Sequence, residues 1–386
     1  MNIKNLSFLL AVITVLASCD INEGPRRGGP NNGNVEDEIS ALPMTQDYPA
    51  DNPYSVEKTN LGKMLFWDPI MSGKKDIACV SCHHPDFGYA DGIDLPLGVG
   101  GVGLGINRTG GTLVKRNAPT IINTGFNGID NDGNYSHSDA PMFWDNRVKS
   151  LELQAIHPML SKEEMRGELI SETAIIDTLI NRLNNIPQYK SLFTAAFGSE
   201  GITEDRIGKA IATFERTIMA NNSRFDQYMR GDDNALSNQE IDGMNRFVAI
   251  GCADCHGGAM FSDYELHTIG VPNHNLVTDE GATGDFDFRT PTLRNLTFTA
   301  PYMHNGQFES LEDVLEFYED ASQGRENRIN NQLDARDLDN DIRNLNLRGN
   351  DHDEIIAFLR ALSDDSFDKT VPESVPSKLP VGGNIQ

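Results

Sequence analysis

The stretch Cys79-Val80-Ser81-Cys82-His83 returns later in the chain as Cys252-Ala253-Asp254-Cys255-His256. In each, two thiols stand one helical turn apart and an imidazole follows at once. C-x-x-C-H is the attachment pattern of c-type haem. The spacing has a chemical reason. Two thiols so placed reach the two vinyl groups on one porphyrin edge, and the adjacent imidazole then lies under the ring and ligates iron. A structural zinc site draws its cysteines from one compact module, whereas these pairs stand far apart along the chain. Two C-x-x-C disulfides would leave the histidine after each pair without a reason. The repeat therefore predicts two covalently bound haem c groups, one on Cys79, Cys82 and His83, the other on Cys252, Cys255 and His256. It also divides the chain in two.

Outward from the repeat, the sequence reads as all-α. With 386 residues, two domains are the natural expectation. Thr203 is a good N-cap, and Ile207, Ala210, Ile211, Phe214 and Ile218 recur behind it on one helical face. Ser237 and Glu240 form a capping box before Ile241, Met244 and Phe247. Ser310 and Asp313 make a similar start, with Leu311, Val314, Leu315 and Tyr318 on one stripe. Ile355, Phe358, Leu359 and Leu362 mark a last helix. Between these helices, 84–142 and 257–308 are dense in Gly, Asn, Asp and Pro and show no alternating strand pairs. Long irregular loops inside a compact domain are functional or packed on something. A large cofactor would supply the missing core. The fold expected is two c-type cytochrome domains, each around one covalent haem.

Lys and Arg total 32 against 57 Asp and Glu, a formal net charge of -25. A chain this acidic repels nucleic acid and anionic membrane surfaces, and a protein partner would offer a basic face. Lys4 followed by the apolar run Leu6 to Leu16 reads as an export signal, too short to span a bilayer as a mature helix. Leu16-Ala17-Ser18-Cys19 resembles a bacterial lipobox, which would make Cys19 the lipidated first residue of the mature protein. The alternative is a cleaved signal with an incidental cysteine. The expected order is a signal peptide over 1–18, a disordered tether over 19–45, an N-terminal haem domain over 46–234, a C-terminal haem domain with its closing helix over 235–365, and a tail over 366–386. Covalent haem attachment outside the cytoplasm agrees with export, on the periplasmic side and membrane-anchored only through lipid.

A resemblance now enters on particular residues. Asn117-Ala118-Pro119-Thr120, Phe143-Trp144-Asp145-Asn146-Arg147, Glu164-Met165, Ala212-Thr213-Phe214-Glu215-Arg216, Pro291-Thr292-Leu293-Arg294-Asn295 and Ala300-Pro301-Tyr302-Met303-His304-Asn305-Gly306 look like the bacterial di-haem cytochrome c peroxidase family, which includes the methylamine-utilisation (MauG) branch. The likeness runs from about residue 47 to 363. It implies that the haem on His83 is peroxidatic and the haem on His256 stores and relays electrons. Trp144 matches the tryptophan between the haems. Gln154 and Glu164 match the polar pair over the open face of the peroxidatic haem, and Pro158 a proline of that pocket. Asn117, Thr299 and Pro301 match positions around a structural calcium ion held mainly through oxygen. Glu164, rather than its neighbour Glu163, is chosen by its offset from Trp144. Cleaving a bound peroxide moves a proton from the inner to the outer oxygen, and one carboxylate can carry out both halves. Without the resemblance, Trp144 reads as a core aromatic and Glu164 as a surface residue.

Two departures matter. Many family members carry a histidine in the loop after the first motif that blocks the peroxidatic iron until reduction. Here Gly98-Val99-Gly100-Gly101-Val102-Gly103-Leu104-Gly105 holds none, and no histidine lies between His84 and His137, the latter in a stretch (about 126–141) that reads as inserted. At the far ligand of the C-terminal haem the usual methionine is replaced by Tyr318, as in the MauG branch. Tyr318 lies on an apolar stripe and so points inward, as a core tyrosine would too; Met303 and Met260 are the fallback ligands. A phenolate lowers the potential relative to methionine. Arg289 and Arg294 are candidate partners of haem propionates, with loop bracing as the alternative. The resemblance implies an enzyme that reduces hydrogen peroxide with electrons from a small periplasmic redox protein, a cytochrome c or cupredoxin. Its rivals are a MauG-like enzyme oxidising a protein substrate and a non-enzymatic electron carrier. Donor identity and oligomeric state, a homodimer included, stay open.

Overall fold

The computed structural model describes residues 35–130, 133–325 and 329–385. The expected signal peptide, Cys19 and the first part of the expected tether lie outside the described residues.

Among the described residues the chain is mostly helical. Its α-helices are α1 (Val35–Glu38), α2 (Val56–Trp67), α3 (Leu151–Gln154), α4 (His157–Leu160), α5 (Glu172–Asn184), α6 (Pro187–Phe197), α7 (Glu204–Glu215), α8 (Arg224–Met229), α9 (Asn238–Ala249), α10 (Leu311–Ser322), α11 (Asn340–Asn344) and α12 (His352–Ala361). The strands are two-residue antiparallel ladders: β1 (Gly101–Val102) with β2 (Thr109–Gly110), and β3 (Leu266–His267) with β4 (Phe288–Arg289). The expected caps form. Thr203 Oγ1 accepts from Arg206 N, and Ser237 and Ser310 make reciprocal capping boxes with Glu240 and Asp313.

Each half is built on a pair of crossing helices with a glycine at the contact. α2 lies against α7, where a Cβ on Gly62 would fall 2.0 Å from the Ala210 carbonyl oxygen. α9 lies against α12, where a Cβ on Gly243 would fall 1.9 Å from that of Glu354. Both approaches demand glycine. The first core takes Leu61, Leu65 and Phe66 from α2 and Ile207, Ile211 and Phe214 from α7. The second takes Met244, Phe247, Ile355, Phe358 and Leu359, with Phe225 and Phe261 packed edge-on among them. Burying side chains of this size stabilises each half by roughly 1.5–3 kcal/mol per residue before ordering costs.

Both ends of the described chain pack on folded parts of the molecule. Within the stretch expected as tether (19–45), Ile39 joins the second core and pairs with Gly258, and Leu42 is buried beside Phe126. The tail over 366–385 returns to the first half. Phe367 and Val375 enter its core, Ser377 bonds to Asp68, and Gly382 N donates to Trp67 O at 2.8 Å. Ser81 Oγ, inside the first C-x-x-C-H motif, donates to Gly382 O at 3.0 Å. The tail therefore braces the turn that carries Cys79 and Cys82.

Candidate functional site

Both motifs are 3-10 turns, over Cys79–Ser81 and Cys252–Asp254. The next turn is helical in each: His83 N donates to Cys79 O at 3.0 Å and His256 N to Cys252 O at 2.9 Å. Each imidazole is then fixed alike. His83 Nδ1 lies 3.1 Å from Tyr89 O, and His256 Nδ1 lies 3.0 Å from Phe261 O. A carbonyl oxygen only accepts, so each Nδ1 carries the proton and each Nε2 keeps its lone pair. That is how a metal-ligating histidine is oriented. Burial pushes both imidazoles below their ordinary pKa, so both are neutral. The four motif cysteines form no disulfide. Burial pushes the thiols of Cys82 and Cys252 up to about 12, so both are neutral thiols.

Both motifs open into one cavity of about 880 Å³, lined mainly by apolar side chains. Two thiols, an oriented imidazole and a large apolar space at each end fit a haem group in each half. Trp144 lies between the halves. Its Nε1 donates to Asn117 O at 3.0 Å, and its carbonyl accepts from Arg289 N at 2.7 Å, tying the first half to β4 of the second. His304 faces Trp144 edge-on and stacks on Phe288 with ring centroids 3.6 Å apart. Burial pushes it down to about 3, so it is a neutral stacking partner.

Gln154, Pro158 and Glu164 line this cavity, and Glu164 acts on the Cys79 and Cys82 thiols of the first motif. Glu164 sits in a π-turn over Lys162–Arg166, capped by Ser161 Oγ. Such turns recur at functional sites. Glu163 also borders the cavity but is solvent-exposed, whereas Glu164 is half-buried. Burial pushes the Glu164 carboxyl up, against the pull of Arg147 and Ser161. The glycine-rich loop that lacks a histidine packs beneath this turn. Val99 N donates to Glu163 O at 3.1 Å, and a Cβ on Gly98 would fall 1.9 Å from that same oxygen. His84 caps a neighbouring turn through Nδ1, and His137 lies beside Asp47, 3.6 Å away; neither borders the cavity.

At the other end, Tyr318 on α10 reaches the cavity beside Cys252 and Cys255. Burial first, then those thiols, push its hydroxyl up, so a phenolate forms there only against a cation. Met303 and Met260 border the same cavity. So do Asn117, Thr299 and Pro301, the expected calcium residues. Asn117 Nδ2 donates to Ile93 O at 2.9 Å and Asp94 O at 3.2 Å, leaving Oδ1 as its ligand-capable atom. Arg294 is taken up by bracing: it pairs with buried Asp226 at 3.0 Å and donates to Ala259 O at 2.6 Å. Arg289 borders the cavity and keeps the propionate role open. Cys255, Asp263 and His267 bring their ligand atoms within 4.8 Å of one another. Hydrogen bonds that His267 donates to Asp263 and Cys255 hold it up to about 11, and a charged imidazolium has no lone pair for a metal. Glu215, within the Ala212–Arg216 stretch, carries no local signal of a site role. It proves to be a buried cavity residue.

Fold and site together define a mostly helical protein of cytochrome c type. A profile described as di-haem cytochrome c peroxidase matches residues 56–234. The methylamine utilization protein MauG of Methylophilus methylotrophus is 32% identical over 322 residues, covering 81% of this chain and 84% of the relative. The cytochrome c551 peroxidase of Nitrosomonas europaea is 32% identical over 350 residues, covering 88% and 90%. The crystal structure of a MauG-like protein associated with microbial copper homeostasis superposes with a TM-score of 0.68 at 28% identity, over 84% of this chain and 95% of that one. The chain belongs to the di-haem cytochrome c peroxidase family.

Proposed function

We propose that this protein is a di-haem peroxidase that reduces hydrogen peroxide to water, taking two electrons per turnover from a small, basic redox protein. The observation that carries the reading is a half-buried carboxyl, Glu164, acting on the Cys79 and Cys82 thiols of the first motif in the cavity that His83 and Gln154 also line. Haem bound on Cys79, Cys82 and His83 would supply the iron that binds peroxide and exchanges electrons with it. His83 Nε2 would hold that iron, with Tyr89 O fixing the ring. Glu164 faces the same compartment with a carboxyl whose affinity for a proton is raised by burial. It takes the proton from the inner oxygen of peroxide and returns it to the outer one, and Gln154 orients the substrate by hydrogen bonds. Trp144 spans the path along which electrons come from the His256 end. A pure electron carrier has no use for such a carboxyl.

Covalent attachment at both motifs, Tyr318 as far ligand of the second haem and calcium at Asn117, Thr299 and Pro301 belong to this proposal. So do lipidation at Cys19 and residence on the periplasmic side. The second reading, a MauG-like enzyme oxidising a protein substrate, is favoured by Tyr318 beside the second motif and by a first-motif loop without histidine. The test is peroxide turnover with ferrous cytochrome c, without prior reduction of the enzyme. Steady turnover supports peroxidase function. Peroxide consumption without cytochrome oxidation favours the second reading, and no reaction with peroxide excludes both.

A further inference from the structure

Glu215 is the last residue of α7 and only 5% exposed. It borders the cavity on the Cys79 side, and its Oε2 has no hydrogen-bond partner in the protein. Its position is unfavourable for an anion, because the carbonyl end of a helix carries negative partial charge. The adjacent cation helps it only in part. Arg216 is held by Glu152 of α3 through contacts of 2.5 and 3.1 Å, so its charge is already balanced. Cys79 on the motif turn also lies beside Glu215, with Glu164 acting on that thiol from the π-turn; as a haem thioether it would carry no charge of its own. Burial pushes the Glu215 carboxyl up to about 8, with Arg216 pulling against and Glu152 adding to the shift.

We propose that Glu215 is the redox-linked proton site of the His83 compartment. The inference rests on the haem proposed there. When that centre gains one electron from the donor protein, the Glu215 carboxylate gains one proton from solvent; when the electron passes to peroxide, that proton passes with it to an oxygen leaving as product water, and Glu215 is again a carboxylate. A buried compartment resists net charge, and a neutral carboxylic acid offsets the added electron. Reducing peroxide to two waters consumes two protons with the two electrons. Glu164 moves a proton between the two oxygens of the substrate but adds none, whereas a group that reloads from solvent adds one. The coupling has a definite sign. The Glu215 pKa is higher beside the reduced centre than beside the oxidised one, so the midpoint potential falls with rising pH between those two values and is flat outside them.

The experiment is a redox titration of the holoprotein at several pH values, with the two centres resolved by electron paramagnetic resonance, and reduction-induced infrared difference spectra. The expected parent slope at the His83 centre reaches about 59 mV per pH unit, a tenfold change in a one-electron equilibrium. Glu215→Gln flattens it and removes a deuterium-sensitive carboxylic C=O band that appears on reduction. Equal slopes, with the band kept, overturn the proposal. If Glu215→Gln does not fold, Glu215→Asp must shift that band; an unshifted band also overturns it. A chain that binds no haem would overturn the peroxidase reading as well, which separates the two failures.

Discussion

At the scale of single residues, the account turns on Glu164 and Tyr318. General acid–base contributions are worth on the order of 10²–10⁴ in rate, so Glu164→Gln is expected to slow the reaction with peroxide by about that factor. Rapid mixing reads this directly, and an unchanged rate would transfer the role to Glu163. Tyr318→Phe is expected to change the optical spectrum of the second haem and raise its potential, because loss of a phenolate removes the stabilisation of ferric iron. An unaltered spectrum leaves Tyr318 as a core residue beside Cys252 and Cys255 and points to Met303. The motif cysteines and histidines were legible because their chemistry needs fixed spacing along the chain. Glu164 was legible only through the family resemblance, since nothing local separates it from Glu163; the π-turn that buries one and exposes the other depends on the loop beneath it. Glu215 was not legible as a site residue, because what singles it out is an unmet oxygen at a distant cavity wall.

Among elements, the glycine-rich loop is the informative one. It lacks the histidine that blocks the iron in many family members, and its glycines also have a mechanical reason. Gly98 lets the backbone meet Glu163 O, and Gly73 does the same at Arg166 O, where a Cβ would fall 1.8 Å away. Gly98→Ala is expected to cost about 1–3 kcal/mol by overpacking, read by denaturant unfolding. It should also slow the peroxide reaction by displacing the π-turn, with the His256 haem spectrum unchanged. An alanine variant as stable and fast as the parent would show that the turn is held elsewhere. Helix starts were legible because caps are local side-chain-to-backbone bonds, as at Thr203, Ser237 and Ser310. The anchoring of Ile39 and of the 366–385 tail was not, because their partners lie at the opposite end of the chain.

For the whole molecule, buried polar contacts tie the N-terminal stretch of the described chain to the second half. Asp226 accepts from Leu42 N and from Arg294, whose other groups reach Ala259 O and Ser40 O. Burial raises the Asp226 carboxyl, but Arg294 and Ser223 outweigh it and hold the group below the ordinary carboxylate range. Its stabilising contribution is therefore present above the ordinary aspartate pKa and lost as pH falls through the lowered folded-state value. Arg294→Met leaves that carboxylate buried and unpaired, and is expected to cost about 3–5 kcal/mol in denaturant unfolding at neutral pH. A loss below 1 kcal/mol would show that water or another cation replaces the guanidinium.

The central claim is that this chain holds two haems, each bound through the thiols of its own C-x-x-C-H motif. The direct measurement is the intact mass of the denatured, acid-extracted protein purified from a host that matures c-type cytochromes, together with its haem-to-chain ratio. The account predicts a mass raised by two haem groups that survives extraction, falling to one in a Cys79→Ala/Cys82→Ala variant and to one in a Cys252→Ala/Cys255→Ala variant. A parent chain that keeps no haem, keeps a single haem, or carries zinc in its place would contradict it.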